Sequence, residues 1–407
     1  MKTKNSPVLP VIGCLIIQLC VGVLYLWSVF RAAVGESYGG WSGVGMVASY
    51  MLLAFVSGNF VGGFISDKRG AKFTATIGVV LFALGIGLTA FVGPEAPWLM
   101  YITYCVMGGL GSGIAYGPCI SCIQKWMPHR RGFATGLAVS AFGLSTVVFA
   151  SVSKWLMDQF TDAVTGLVNF TPVFLILAGV FAVFGLIGCA MVSQPGEEYI
   201  ASLKLPKTAA PSSQRQYPLG EAIRTLPFWC IFFTIFFING TWNLTVPLIY
   251  DLGVERGLDA AMATFAVSFT GIPNAAGRLL MATVSDKIGR TTTMIILCIM
   301  TLIGAVCMIF IGGVGYVVTV AVIAFAYGGP SALNAAMSTD YFGSEHSGTN
   351  YGVIMMALGL SSVVFNWVSG NLLHGDVTLT FIMAAVTAVV PIFLMLVLNR
   401  RRKTWNS

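Results

Sequence analysis

The sequence predicts an all-α membrane protein: twelve transmembrane helices in two pseudo-symmetric six-helix bundles, both termini cytoplasmic. Three observations carry that expectation. The 407 residues are 57% hydrophobic and 9% charged, with mean hydropathy +0.85, whereas a soluble globular chain carries about 25% charged residues. Apolar runs long enough to cross a bilayer recur along the whole chain. A pattern of charged and turn residues in the first half also returns in the second, as in repeat-built transporters.

Taken in order, the first run spans 8–30. Lys2 and Lys4 ahead of it resemble a leader, but the run is too long and lacks a small-residue cleavage site, so it reads as the first span. The second, 45–66, ends in Ser66-Asp67-Lys68-Arg69-Gly70, and Gly70 turns the chain into a third at 73–93. The fourth, 97–124, holds Gly108, Gly109, Gly111 and Gly113, small residues that permit close helix approach, and then Tyr116-Gly117-Pro118. Runs at 132–156 and 172–194 complete the first bundle, 1–194. Residues 195–222, rich in Pro, Lys and Ser, read as a cytoplasmic linker to a second bundle, 223–407.

The second bundle repeats the first. Runs at 225–250 and 260–284 lead to Ser285-Asp286-Lys287-Ile288-Gly289-Arg290, the echo of the first motif. Those at 292–312 and 315–337 follow, the latter with Tyr327-Gly328-Gly329-Pro330 matching Tyr116-Gly117-Pro118. Runs at 348–372 and 377–399 close the chain, and Phe142-Gly143 matches Leu358-Gly359. Asn59 and Arg278 each precede their motif Asp by eight residues, so the two occupy equivalent depths. Repeated halves of this kind place a substrate site between them, near the midplane.

Charge sets the orientation. All of the 22 Lys and Arg except Arg31, Lys154, Arg256 and Arg278 fall on the side of the termini, which the positive-inside rule makes cytoplasmic. The net charge of +7 therefore reports topology rather than nucleic-acid binding. The nine Cys lie in apolar runs and read as packing residues; Cys119 and Cys122 have no second pair or nearby His to make a metal set. His129, His346 and His374 fall in loops or at span ends, so neither a metal nor a hydrolytic constellation is expected. No G-x-x-x-x-G-K-[ST] loop occurs, which excludes ATP-driven transport on this chain.

Arg278 is the charge that stands out. At ~1.5 Å per helical residue it lies about 12 Å inside the membrane from Asp286. An ionised group there costs at least ~2.5–3.5 kcal/mol, and so faces a cavity, a counter-charge or an anionic ligand. With no Asp or Glu expected at that depth, an anion site is the reading. Asn274 lies one turn away on the same face. Tyr116 and Tyr327 can orient a carboxylate through their hydroxyls, while Tyr25, Phe142 and Met355 can wall a short alkyl chain.

Gly63-Phe64-Ile65-Ser66-Asp67-Lys68-Arg69-Gly70 resembles the signature of the major facilitator superfamily, with Asp286, Lys287 and Arg290 as its second-half echo. The resemblance implies the major facilitator fold and a gating role for Asp67, Lys68, Arg69, Asp286, Lys287 and Arg290. Gln18 to Phe30, Asp340-Tyr341-Phe342-Gly343 and Gly348-Thr349-Asn350-Tyr351-Gly352 resemble the oxalate/formate antiporter family. Trp126 to Ala134 is similar in style to both that family and the monocarboxylate transporters. Two departures matter. Oxalate carriers have a Lys where this chain has Leu358, and the monocarboxylate transporters have an Asp where it has Asn274.

The resemblance and the residues together lead to one expectation. It is secondary transport of a small organic monocarboxylate (lactate, pyruvate or formate), coupled to protons, with organic anion exchange as the alternative. Arg278 would fix the carboxylate, Asn274, Tyr116 and Tyr327 would orient it, and Tyr25, Phe142, Leu358 and Met355 would limit its size. Asn274, being uncharged, would leave Arg278 unpaired and free for substrate. Glu255, in the outer acidic group with Asp251 and Asp259, would serve as a proton relay. No cofactor or metal is expected, the partners are the carboxylate, the proton and the lipid bilayer, and the chain would act as a monomer in the inner cell membrane.

Overall fold

The computed structural model describes residues 6–23, 26–203, 215–373 and 376–405. Among them the structure is helical, apart from one isolated β-bridge between Thr161 and Val168. The first half supplies α1 (Val8–Val21), α2 (Trp27–Ser37), α3 (Val47–Arg69), α4 (Ala71–Thr89), α5 (Gly109–Trp126), α6 (Arg131–Gln159), α7 (Phe170–Met191) and the short α8 (Glu197–Ser202). The second supplies α9 (Leu219–Ala222), α10 (Leu226–Thr245), α11 (Ile249–Glu255), α12 (Ala260–Phe269), α13 (Gly271–Ile288), α14 (Arg290–Phe310), α15 (Gly313–Phe342), α16 (Ser347–Asn371) and α17 (Val377–Trp405).

Ten helical stretches among the described residues are long and apolar enough to cross a membrane. The other two expected crossings, 8–30 and 260–284, are split helices rather than continuous ones. α1 stops before Gly22, whose backbone lies too close to the Phe142 carbonyl for any Cβ, and helix resumes at α2. α12 begins at Asp259, whose carboxylate accepts from the Met262 N–H at 2.7 Å, and breaks at Thr270 before α13. Pro273 explains that break, because it has no N–H to offer the Phe269 carbonyl. The seventh expected run, 225–250, likewise passes from α10 through a 3₁₀ turn at Val246–Leu248 into α11, around Pro247. Ahead of α5 the chain makes a π-helical stretch at Tyr101–Gly108, a local widening of the kind seen at functional positions.

Gly70 and Gly289 do equivalent work in the two halves. Each takes a positive φ, +83° and +94°, and so ends one helix and starts the next in a single residue. Side chains other than Gly rarely adopt that backbone.

By contact the chain forms two compact units that do not follow sequence order. The first comprises 1–129, 141–215 and 344–352; the second comprises 130–140, 216–343 and 353–407. The expected bundles, 1–194 and 223–407, thus each lend a short piece to the other unit. Within the first unit, Trp27, Phe30, Tyr104, Phe170 and Phe174 form a buried aromatic core. Within the second, Ile249, Leu252, Met308, Val320, Ile323 and Phe381 pack around Tyr316, whose hydroxyl donates to the Ile249 carbonyl at 2.7 Å. Large apolar side chains such as Phe184, Phe310 and Phe393 stay exposed, as lipid-facing positions do. The nine cysteines are free thiols, and Cys14 hydrogen-bonds both Cys119 and Cys122 inside the first unit. Among the described residues no group of His, Cys, Asp or Glu is arranged to hold a metal ion.

Candidate functional site

Arg278 sits in the middle of α13 and is 8% exposed. Its Nε donates to Asn274 Oδ1 at 2.8 Å and its Nη1 to the Val139 carbonyl at 3.0 Å. This corrects the expectation that Asn274 leaves the cation unpaired. One helical turn separates the two residues, so the amide oxygen lies where the guanidinium passes and holds it in one orientation. Asn274 is a positioning partner, and among the described residues the Nη2 group meets no acceptor. Val139 belongs to the 130–140 segment of α6, which packs tightly on α13. Ser140 Oγ donates to the Ala275 carbonyl at 3.1 Å, and a Cβ on Gly136 would meet the Arg278 carbonyl at 2.7 Å.

Tyr327 has a different neighbourhood from the one expected. Its hydroxyl donates to Asn239 Oδ1 at 2.7 Å, and its ring stacks on Trp242, 4.3 Å between centroids and 3° from parallel. Asn239 Nδ2 donates to the Leu358 carbonyl and to Ser362 Oγ, and Asn243 Nδ2 donates to Ser362 Oγ at 3.1 Å. Leu358 therefore contributes its backbone to this network, with its side chain half-buried, and Met355 on the same helix is buried. Gly328, next to Tyr327, packs its backbone on the Asn274 carbonyl, so α15 touches both the residue that aims Arg278 and the amide network.

In the first unit, Tyr116, Phe142 and Phe55 form an aromatic triad with centroids 4.9–5.6 Å apart. Gln18 Nε2 donates to the Tyr116 carbonyl at 3.2 Å. Tyr25 lies outside the described residues. Glu255, like Asp251 and Asp259, is exposed.

The two motif carboxylates make matching contacts. Asp67 accepts from Gly348 N at 3.1 Å and from Thr349 N and Oγ1 at 2.7 and 2.6 Å. Asp286 accepts from Gly132 N and Phe133 N, both at 2.9 Å. Each carboxylate thus closes the N-terminus of a helix, α16 or α6, where unpaired N–H groups and the helix dipole favour an anion. The backbone follows suit: a Cβ on Gly352 would meet the Asn59 carbonyl at 3.1 Å, as one on Gly136 would meet that of Arg278. Around Asp286 the echo gains charge. Arg290 bridges it at 2.6 Å to Asp340 at 3.0 Å, and Asp340 in turn pairs with Arg131 at 3.0 Å. Lys68 and Arg69 are exposed and lie over the Phe64 and Phe73 rings, and Lys287 is exposed.

Asn239, Asn243, Trp242, Ser362 and Val139 were not picked out by the sequence reading, and Arg131 was visible only within the run Trp126 to Ala134. Val139 acts through a carbonyl and leaves no side-chain signal. Asp340 closes an apolar run and was visible there as a motif residue, though not as a partner of two arginines.

Comparison with known proteins gives the family and the fold. Residues 11–366 match the family described as the Major Facilitator Superfamily. An uncharacterized transporter of that type, YhjX of Escherichia coli (strain K12), is 25% identical over 365 residues, 87% of this chain and 85% of its own. The oxalate:formate antiporter of Oxalobacter formigenes is 25% identical over 362 residues, covering 87% and 81%. Monocarboxylate transporter 13 of Bos taurus is 23% identical over 347 residues, covering 84% and 76%. Among solved structures, the proton:xylose symporter XylE bound to 6-bromo-6-deoxy-D-glucose is similar in fold, with TM-score 0.73 and 15% identity over 97% of this chain and 96% of that one.

Proposed function

The chain belongs to the Major Facilitator Superfamily, and from that premise we propose that it carries a small organic monocarboxylate, of the lactate, pyruvate or formate class, across the inner cell membrane together with a proton. It is a multi-pass membrane protein and a transporter of the oxalate/formate antiporter and monocarboxylate transporter type. Twelve crossings with both termini cytoplasmic, the halves 1–194 and 223–407 with their linker, and action as a monomer belong to the same reading.

One observation carries it: the buried guanidinium of Arg278 in the middle of α13, aimed by Asn274 and with Nη2 open among the described residues. One Arg matches one carboxylate in a planar two-bond fork, and Leu358 adds no second cation for a dicarboxylate. The mechanism follows from what Arg278 already holds. A carboxylate taking Nη1 and Nη2 displaces the Val139 carbonyl, because a charged acceptor binds a guanidinium more strongly than a neutral one. Substrate therefore exchanges the tie between α13 and the 130–140 segment for a tie to itself, and neutralises a charge that disfavours an occluded apolar state. Tyr116 orients the carboxylate through its hydroxyl, and Phe142 and Met355 contribute apolar wall. The proton arrives with the carboxylate at Arg278, and Glu255, exposed at the end of α11, is a relay whose loss weakens the drive less than loss of the arginine.

Two experiments in sealed vesicles test this. Arg278→Lys, which keeps the charge and loses the fork, should abolish most uptake; near wild-type uptake by a correctly inserted variant would sink the site. An inward proton gradient should drive net uptake with no internal anion. The 25% identity to an oxalate:formate antiporter favours exchange as the second reading, and uptake that ignores the gradient and needs a preloaded acid would decide for it.

A further inference from the structure

We propose that Asn243, with Trp242, forms a hydroxyl-recognition subsite beside the Arg278 site, so that the preferred substrates are monocarboxylates with a hydroxyl on the third or fourth carbon. The inference rests on the carboxylate reading of Arg278 and adds to it the class of acid.

Counting donors and acceptors in the amide network leads there. Asn239 spends Oδ1 on Tyr327 and both Nδ2 hydrogens on the Leu358 carbonyl and Ser362 Oγ. Ser362 Oγ accepts from both asparagines and donates to the Leu358 carbonyl at 3.1 Å. The Tyr327 hydroxyl hydrogen is committed to Asn239, so Tyr327 is not the donor expected for a carboxylate. What stays open is on Asn243 and Trp242. Among the described residues the Asn243 side chain makes one bond, to Ser362, which leaves one N–H and the amide oxygen. Exchanging its amide N and O still leaves a donor and an acceptor open. Trp242, stacked on Tyr327, presents an indole N–H that meets no acceptor among the described residues.

Both residues lie in α10, an apolar stretch long enough to cross a membrane, and both are half-buried. Open polar valences at such a place are costly unless water or a ligand meets them. One donor and one acceptor on a single amide suit a hydroxyl, which needs both. A carboxylate could use only the donor.

Height along the helices sets where that hydroxyl must be. α15 links the two levels: Gly328 packs against the Asn274 carbonyl, and its neighbour Tyr327 reaches Asn239 on α10. Asn239 thus stands near the level of Asn274, which marks the guanidinium, and Asn243 lies four residues further along α10, about 6 Å at the usual helical rise. The anchor and the subsite are thus offset by about one helical turn, and sideways separation adds to this. A hydroxyl on the carbon next to the carboxylate is too close to reach Asn243.

The four-carbon acids test this on the full chain in lipid, with binding read as thermal stabilisation against ligand concentration. Butyrate and 2-hydroxybutyrate should bind within about twofold of each other, and 3- or 4-hydroxybutyrate about tenfold more tightly. Asn243→Leu should erase that gain and leave butyrate unchanged. Trp242→Phe, which keeps the stacked ring, should reduce the gain by about threefold, and it decides the matter if Asn243→Leu does not fold. A flat series in a wild-type protein that binds butyrate through Arg278 overturns the hydroxyl subsite alone, as does a preference for 2-hydroxybutyrate or a gain untouched by both variants. Butyrate binding that survives Arg278→Lys, or no binding by any of the four acids, overturns the carboxylate reading and this inference with it.

Discussion

Asp67 and Asp286 close two helix N-termini with the same backbone geometry and complete it by opposite means. Asp67 receives two N–H groups and the Thr349 hydroxyl, all neutral donors. Asp286 receives two N–H groups and the Arg290 cation, which also holds Asp340, itself paired with Arg131. The helix dipole supplies a base of about 0.3–1 kcal/mol to both. Beyond that, one closure depends on hydrogen bonding and the other on a chain of alternating charges. A repeat therefore preserved position and let the electrostatics diverge, as it did eight residues before each Asp, where the first half has Asn59 and the second Arg278.

The comparison breaks most sharply at Arg290. Arg290→Ala leaves Asp286 and Asp340 with one cation between them in a poorly solvated place, and should cost about 3–5 kcal/mol, seen as a large drop in thermal unfolding temperature in detergent. A drop no larger than that of an exposed substitution such as Lys287→Ala would show that the charge chain is not what holds α6. Asp67→Asn is the next test. It removes the charge from two backbone bonds and should cost about 2 kcal/mol; a loss equal to that of Arg290→Ala would erase the distinction between the closures. The smallest effect belongs to Thr349→Val, which deletes one hydroxyl of similar shape and should cost about 1 kcal/mol. Raising salt should weaken the Asp286 closure more than the Asp67 one, which the same unfolding measurement resolves.

Much of this was legible beforehand, and the gaps have physical causes. Apolar runs and the two Asp-Lys motifs located the spans and the repeat, since membrane burial and a tight turn both write themselves into residue type. A sliding apolar window cannot see that Pro273 withholds an N–H from Phe269, so the break in the eighth span was missed. The depth and importance of Arg278 were readable. Its partner in Asn274 was misread as mere absence of charge, although an amide oxygen one turn away is an acceptor. Asn239 and Asn243, single polar residues in the run Ile238 to Leu244, carry little weight against their apolar neighbours until the structure sets Ser362 and Tyr327 beside them.

The bond from Arg278 to the Val139 carbonyl has a consequence for genetics. An acceptor supplied by the main chain is the same whichever amino acid is encoded there, so a saturation scan will score position 139 by size alone and record no hint of its tie to the arginine. The contact would be invisible to any survey of natural variation and can be drifted through without loss. Reaching it experimentally takes a change of backbone, such as an ester in place of the peptide bond that follows Val139, which weakens the carbonyl as an acceptor and leaves every side chain in place.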